Sequence, residues 1–211
     1  MLKYSCVCLL ACAAVSSPAV AAQSSGPRVE LRGGWDRTTL VLTYNDGVEV
    51  LADKGHDSGL DAGAEVGYDT HLSKTIIAGA YAGIEFADTK ECSAVEGNDS
   101  ACLKLGRNIT VGARLGTKVS DRVMLYVKGG YSNGQLRLVY RNSDDPSLDF
   151  NALSNRTGYH FGAGGELATG RNGYIRVEYV HTIYDDFADP DLGLTLGGHR
   201  DQILAGFGLR F

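Results

Sequence analysis

The chain has 211 residues, enough for one domain, with 20 basic residues against 25 acidic ones and a formal net charge of −5. That acidic balance excludes a nucleic-acid binder that works by neutralising phosphates. Past the N-terminal segment no run reaches 18 consecutive apolar residues, so no transmembrane helix is expected; 28 glycines and 11 tyrosines beside 4 prolines point instead to short strands.

Residues 1–22, MLKYSCVCLLACAAVSSPAVAA, read as an export signal: Lys3, an apolar run from Val7 to Val15, then Pro18 and the small residues Ala19, Val20, Ala21 and Ala22. Cleavage is expected after Ala22, with Ala21 as the alternative. The apolar run is too short to span a bilayer as a helix. Leu9-Leu10-Ala11-Cys12 has the look of a lipobox, but it leaves almost no apolar core before it. Removing the signal takes away Lys3, Cys6, Cys8 and Cys12, and leaves a charge of −6. Cys92 and Cys102 then remain, ten apart in an exported and oxidising context, and are expected to form a local disulfide.

Eight segments follow with period-two alternation, the pattern of a strand with one apolar and one polar face. In residues 28–37, Val29, Leu31, Gly33 and Trp35 oppose Glu30, Arg32, Gly34 and Asp36. In residues 60–70, Ala62, Ala64, Val66 and Tyr68 oppose Asp61, Gly63, Glu65 and Asp69. Residues 75–86 set Ile76, Ala78, Ala80, Ala82, Ile84 and Phe86 against Gly79, Tyr81, Gly83 and Glu85. Residues 103–118 set Ile109, Val111, Ala113 and Leu115 against Asn108, Thr110, Gly112 and Arg114. Residues 122–134 oppose Val123, Leu125, Val127 and Tyr131 to Tyr126, Lys128 and Ser132. Residues 156–169 oppose Tyr159, Phe161, Ala163 and Leu167 to His160, Gly162, Gly164 and Glu166. Residues 173–184 oppose Ile175, Val177 and Tyr179 to Arg176 and Glu178. Residues 199–211 place Ile203, Ala205, Phe207, Leu209 and Phe211 on one face, with Arg200, Gln202, Leu204, Gly206, Gly208 and Arg210 on the other.

The connections alternate between short (71–74, 119–121, 170–172) and long (38–58, 87–102, 135–155, 185–198). Short turns on one side and long loops on the other describe an outer-membrane barrel with its long loops outside the cell. Asn45-Asp46-Gly47 is a hairpin signal and allows the first two strands to continue beyond the membrane. The competing soluble reading, a β-sandwich or lipocalin-like barrel, has the same alternation with the faces exchanged. The glycines and mixed charges of the polar face suit a narrow lumen better than an exposed surface.

The expected fold is therefore all-β, an eight-stranded antiparallel up-and-down transmembrane barrel over residues 27–211. Its interior is just wide enough for side chains to fill. Five acids, Glu30, Glu65, Glu85, Glu166 and Glu178, and five bases, Arg32, Arg114, Lys128, Arg176 and Arg210, are expected to point inward and pair. Trp35, Tyr68, Phe86, Tyr131, Tyr159, Tyr179, Phe207 and Phe211 are expected on the lipid side as interfacial girdles.

The terminal segment Phe207-Gly208-Leu209-Arg210-Phe211 resembles the assembly signal of outer-membrane proteins, with its final aromatic and apolar residues at alternate positions. The mature chain is similar to small outer-membrane, porin-like β-barrels and to the OmpA transmembrane barrel. Residues 32–36, 78–85 and 126–132 look like alphaproteobacterial members. The resemblance implies recognition of Phe207, Leu209 and Phe211 by the barrel-assembly machinery, and a lasting environment of outer-membrane lipids and lipopolysaccharide. It does not extend to a peptidoglycan-binding domain.

No motif demands a cofactor, a metal or catalytic residues. His71-Leu72-Ser73 is the one close His–Ser pair in sequence, in a turn at the wrong leaflet for a lipid A deacylase. His160 is inward, near Glu166 in sequence, and reads as a lumen hydrogen-bonding residue. His181 and His199 lie near the outer rim with Asp185 and Asp186. The acids Asp185, Asp186, Asp189 and Asp191 read as a solvated loop. Three functional classes follow: a structural or surface-interaction barrel, a narrow porin for small solutes or ions, and a lipid-modifying enzyme.

Overall fold

In the computed structural model the described residues are 25–45, 50–88, 90–94, 100–142, 149–189 and 194–211. Every regular element among them is a strand: β1 Gly26–Asn45, β2 Val50–His71, β3 Ile76–Ala87, β4 Lys90–Ala94, β5 Ser100–Lys118, β6 Val123–Arg141, β7 Phe150–Ala168, β8 Gly173–Asp189 and β9 Leu194–Arg210. All pairings are antiparallel. β1 pairs with both β2 and β9, and β3 pairs with β5, so eight strands form a closed ring in which β4 is a short continuation of β3 along β5. Closure removes the exposed edges an open sheet would leave in lipid. At the periplasmic end the ring is fastened by Phe211 N–H donating to Pro27 O at 2.9 Å.

The faces follow the alternation. Leu31, Leu60, Val66, Val127, Phe161, Val177 and Ile203 point outward and are exposed, while Glu65, Tyr81, Arg114, Tyr126, Arg176 and Leu204 point inward and are buried. A soluble barrel would invert this arrangement. All eight expected girdle aromatics, from Trp35 to Phe211, lie on the exposed outer face.

The three described turns are tight. Leu72 and Ser73 both donate to Ile76 O, Val119 donates to Val123 O and Thr169 to Gly173 O. In the last, Gly170 has φ +105, a backbone region that glycine occupies without a Cβ penalty.

The strands are longer than the alternation suggested. β1 runs on to Asn45 and β2 starts at Val50. β6 reaches Arg141, β7 begins at Phe150 and β8 extends to Asp189, so much of what was expected as loop is strand. The reason is backbone pairing. Polar, Gly-containing segments carry no lipid-facing pattern, yet the ladders already begun in the wall continue through them. Apart from Asp88, Asn142 and Asp149, the remaining parts of the four long connections, and residues 1–24 with the expected signal, lie outside the described residues.

Beyond the membrane the ring divides. The β2–β3 ladder ends at Asp61↔Ala87 and the β7–β8 ladder ends at Gly158↔Tyr184. The other ladders continue outward, so the wall becomes two four-stranded leaves, β2-β1-β9-β8 and β4-β5-β6-β7. Cys92 and Cys102 face each other across β4 and β5 in the second leaf and are joined by a disulfide.

Candidate functional site in the barrel lumen

The lumen is filled by ionised side chains in three connected layers. β1 and β2 supply their scaffold through inward residues at four-residue spacing: Arg28, Arg32 and Asp36 on β1, and Asp61, Glu65 and Asp69 on β2. Residues i and i+4 of a strand share a face, so both strands carry these charges up the inside of the bore.

In the periplasmic layer Arg114 grips Asp69 with both arms, Nε at 2.9 Å and Nη2 at 2.6 Å, and its Nη1 also contacts Glu166. Arg210 donates to Glu166 at 2.8 Å and lies 3.1 Å from Asp69. A small apolar cluster of Ile77, Met124 and Tyr126 packs at the same end.

The middle layer centres on Glu65. Its carboxylate lies 2.7 Å from Arg28, 2.6 Å from Arg32, 2.9 Å from Lys128 and 3.2 Å from Arg176. The Arg28 contact is an ion pair by distance, without directed hydrogen-bond geometry. Glu178 meets Arg32 at 3.2 Å, and Lys128 and Arg176 at 3.3 Å, and accepts from Tyr126 OH at 2.7 Å. Glu30 pairs with Arg176. The Lys128 ammonium stands 4.3 Å from the centre of the Tyr81 ring, a cation–π contact.

In the extracellular layer Arg200 donates to Asp36 at 2.7 Å and to Asp61, while Gln202 donates to Asp61 at 2.6 Å and to Glu85 at 3.2 Å. Arg32 reaches up to Glu85 at 2.5 Å, and Arg28 reaches down to Asp69 at 3.5 Å. These two arginines join the layers into one network.

All ten residues expected inward are therefore in the lumen, and each makes at least one of these contacts. The expectation omitted Arg28, Asp36, Asp61, Asp69 and Arg200, all buried in the same network. The signal was present for four of them, since Asp36, Asp61, Asp69 and Arg200 sit on the polar faces already drawn. Among the described residues the buried set holds eight acids and seven bases. Isolated charges in such a space would be costly, and shared partners offset that cost.

His160 is not beside Glu166. It is buried between Tyr81 OH, 2.5 Å from its Nε2, and Ser132 Oγ, 2.8 Å from its Nδ1. Ser132 and His160 are thus a Ser–His pair that sequence spacing could not show, 28 residues apart on neighbouring strands and sealed from both lipid and solvent. In the His71-Leu72-Ser73 segment, Ser73 Oγ instead accepts from the Thr75 and Ile76 N–H groups and shapes the turn. On the outer surface His181 Nδ1 lies 2.7 Å from Asp201, and Tyr179 OH donates to the same carboxylate at 2.5 Å. The rim histidines therefore gather around Asp201. Asp185 accepts from Thr157 at 2.5 Å. Asp191 lies outside the described residues.

An apolar outer band, aromatic residues along it, a closed antiparallel ring and an ion-paired bore define the class: a bacterial outer-membrane β-barrel. Residues 7–211 match the family model described as "Outer membrane protein beta-barrel domain", and the chain belongs to that family. It is 30% identical over 129 residues to the 31 kDa outer-membrane immunogenic proteins of Brucella melitensis and Brucella suis, covering 59% of this chain and 53% of theirs. The chain thus spans about half the length of the curated relatives it matches. Among solved structures, Ail of Yersinia pestis is similar at 16% identity and TM-score 0.47, over 89% of this chain and 99% of its own. Neisserial surface protein A has 13% identity and TM-score 0.48, over 89% and 98%. The outer membrane protease OmpT of Escherichia coli has 9% identity and TM-score 0.49, over 93% and 100%.

Proposed function

We propose that this chain, exported by its N-terminal signal, is a non-enzymatic outer-membrane barrel: a sealed anchor in outer-membrane lipid that presents its two leaves to the outside. The observation that carries this reading is the lumen network. Arg32, Arg176 and Lys128 converge on Glu65 and Glu178 in the middle of the bore, and ion pairs join this layer to those above and below. An ion would have to part several of these contacts to pass. The Ser–His pair Ser132 and His160 is enclosed where a lipid substrate does not reach.

Planar-bilayer recordings test the seal. The purified barrel is expected to give no steady conductance steps, and reconstituted liposomes should not swell in small sugars. Regular nanosiemens steps would replace this reading with a pore. A narrow ion path is the second reading. It is favoured by the recesses that approach the network from both ends, one at Thr38, Asn108 and Arg200 and the other at Met124, Tyr174 and Arg210. Unchanged lipid A mass spectra on overexpression are expected if the barrel has no lipid-modifying activity.

A further inference from the structure

Each leaf has an inner face turned to the cleft between the leaves and an outer face that continues the lipid-facing wall. On β6 the alternation of the wall runs on without a break. Tyr131 is exposed on the outside, and the ladder with β7 keeps its register from Val123 to Tyr140. Arg137 and Arg141 therefore stand on the outer face, and both are exposed. Lys104 of β5 is exposed too and is the register partner of Arg137, and Lys90 holds the matching register position on β4. Nearer the membrane, Arg107 is the register partner of Phe86, an exposed girdle aromatic.

Partners directly opposite on neighbouring strands share a face, with Cβ atoms roughly 5 Å apart, and like charges so placed repel. The other leaf avoids this arrangement, since Arg37, exposed on the outside of β1, stands opposite Asp201 of β9. Among the described residues, Lys104, Arg107, Arg137 and Arg141 make no ion pair with an acid. Asp88 and Asp149 lie at the ends of the flanking strands, and Asp149 accepts from the Asn142 N–H at 2.8 Å.

The chain as a whole is acidic, at −5, yet it keeps these cations abreast of one another against their repulsion. Such a row is complementary to an anion. Its place says which one. The row faces sideways, away from the cleft, and begins beside Phe86 at the girdle. A molecule that touches both the apolar wall and the row has acyl chains in the outer leaflet and an anionic head rising along β5 and β6. We propose that the outer face of the second leaf binds a phosphate-bearing glycolipid of the outer leaflet. Arg107 takes the phosphate nearest the acyl chains, and a phosphate on the sugar head bridges Lys104 and Arg137. The guanidinium fork matches phosphate oxygens in pairs, and a shared phosphate replaces the repulsion between the two cations with attraction to a common partner. This rests on the reading of the chain as an outer-membrane anchor with its leaves outside, and adds which lipid it holds and where.

The test uses the full barrel refolded in detergent and a rough lipopolysaccharide with a phosphorylated core. The control is the same lipopolysaccharide after hydrofluoric acid has removed its phosphates, and native mass spectrometry counts the lipid bound. The dephosphorylated form is expected to bind roughly tenfold more weakly than the phosphorylated one. Lys104→Ser combined with Arg137→Ser should erase that preference. Lys104→Glu, which places opposite charges in register, should keep the fold and also lose the preference, while Arg37→Ser on the other leaf should retain it. Heat-modifiable migration confirms that each variant folds. Equal binding of the two lipid forms by the wild type, a preference that survives both Lys104 variants, or tighter binding of soluble heparin than of the phosphorylated lipid overturns the proposal. A folded wild-type barrel that fails in these ways leaves the anchor reading standing, whereas a wild-type chain that gives no heat-modifiable band removes both.

Discussion

Glu65 on β2 and Lys128 on β6 meet inside the barrel at 2.9 Å, although their strands are three places apart around the ring. Glu65 also meets Arg28, Arg32 and Arg176, so one carboxylate answers four cations. Removing one partner of a buried pair leaves uncompensated charge, at a cost of about 3–5 kcal/mol. Glu65→Gln is therefore expected to lower the urea midpoint of the refolded barrel sharply. Glu65→Gln combined with Lys128→Met should lose less than the sum of the single changes. Additive losses would mean that the two side chains do not act as a pair.

Gly208 on β9 faces Tyr174 on β8. A Cβ at Gly208 would fall 2.2 Å from the phenol ring, far inside contact distance. Tyr174 is buried and carries the Arg210 guanidinium at 4.8 Å from its ring centre, so it cannot shift without disturbing the periplasmic layer. Gly208→Val is expected to prevent the heat-modifiable folded band, and Tyr174→Ala in the same chain to restore it. Failure of the second change to rescue would place the defect in the backbone rather than in the ring contact.

Val177 lies on the outward face of β8 between Ile175 and Tyr179, and all three are exposed to the surroundings of the barrel. With lipid on that side, Val177→Arg costs about 2–4 kcal/mol near the bilayer midplane. The loss should appear in folding titrations into phosphocholine vesicles. A neutral effect would indicate that water, and not acyl chains, covers this face.

Phe211 lies on the exposed face, with Leu209 and Phe207 at alternate positions before it. If the assembly machinery reads these side chains, Phe211→Ala reduces the amount of barrel in cellular outer membranes several-fold, while refolding in detergent stays near wild type. Equal losses in both measurements would make Phe211 a stability residue rather than a recognition element.

Much of this protein is legible without coordinates, because β-alternation is local. The parity of Val29, Leu31 and Trp35 against Glu30, Arg32 and Asp36 follows from a two-residue period, and so does the membership of Glu65, Arg114 and Arg210 in the polar face. The turn at 170–172 follows from its own residues in the same way. What parity leaves open is which acid meets which base. Arg32 is bonded to Glu65, 33 residues away, and to Glu178, 146 residues away. Those partners are chosen by the stagger of strands around a closed ring, a property of the whole wall. The same long-range pairing joins Ser132 to His160 and gathers His181 and Tyr179 at Asp201. It also ends the β2–β3 and β7–β8 ladders early enough to divide the rim into two leaves. The faces were thus determined by neighbours along the chain, whereas the contacts across the bore and the cleft above it were decided only when the ring closed.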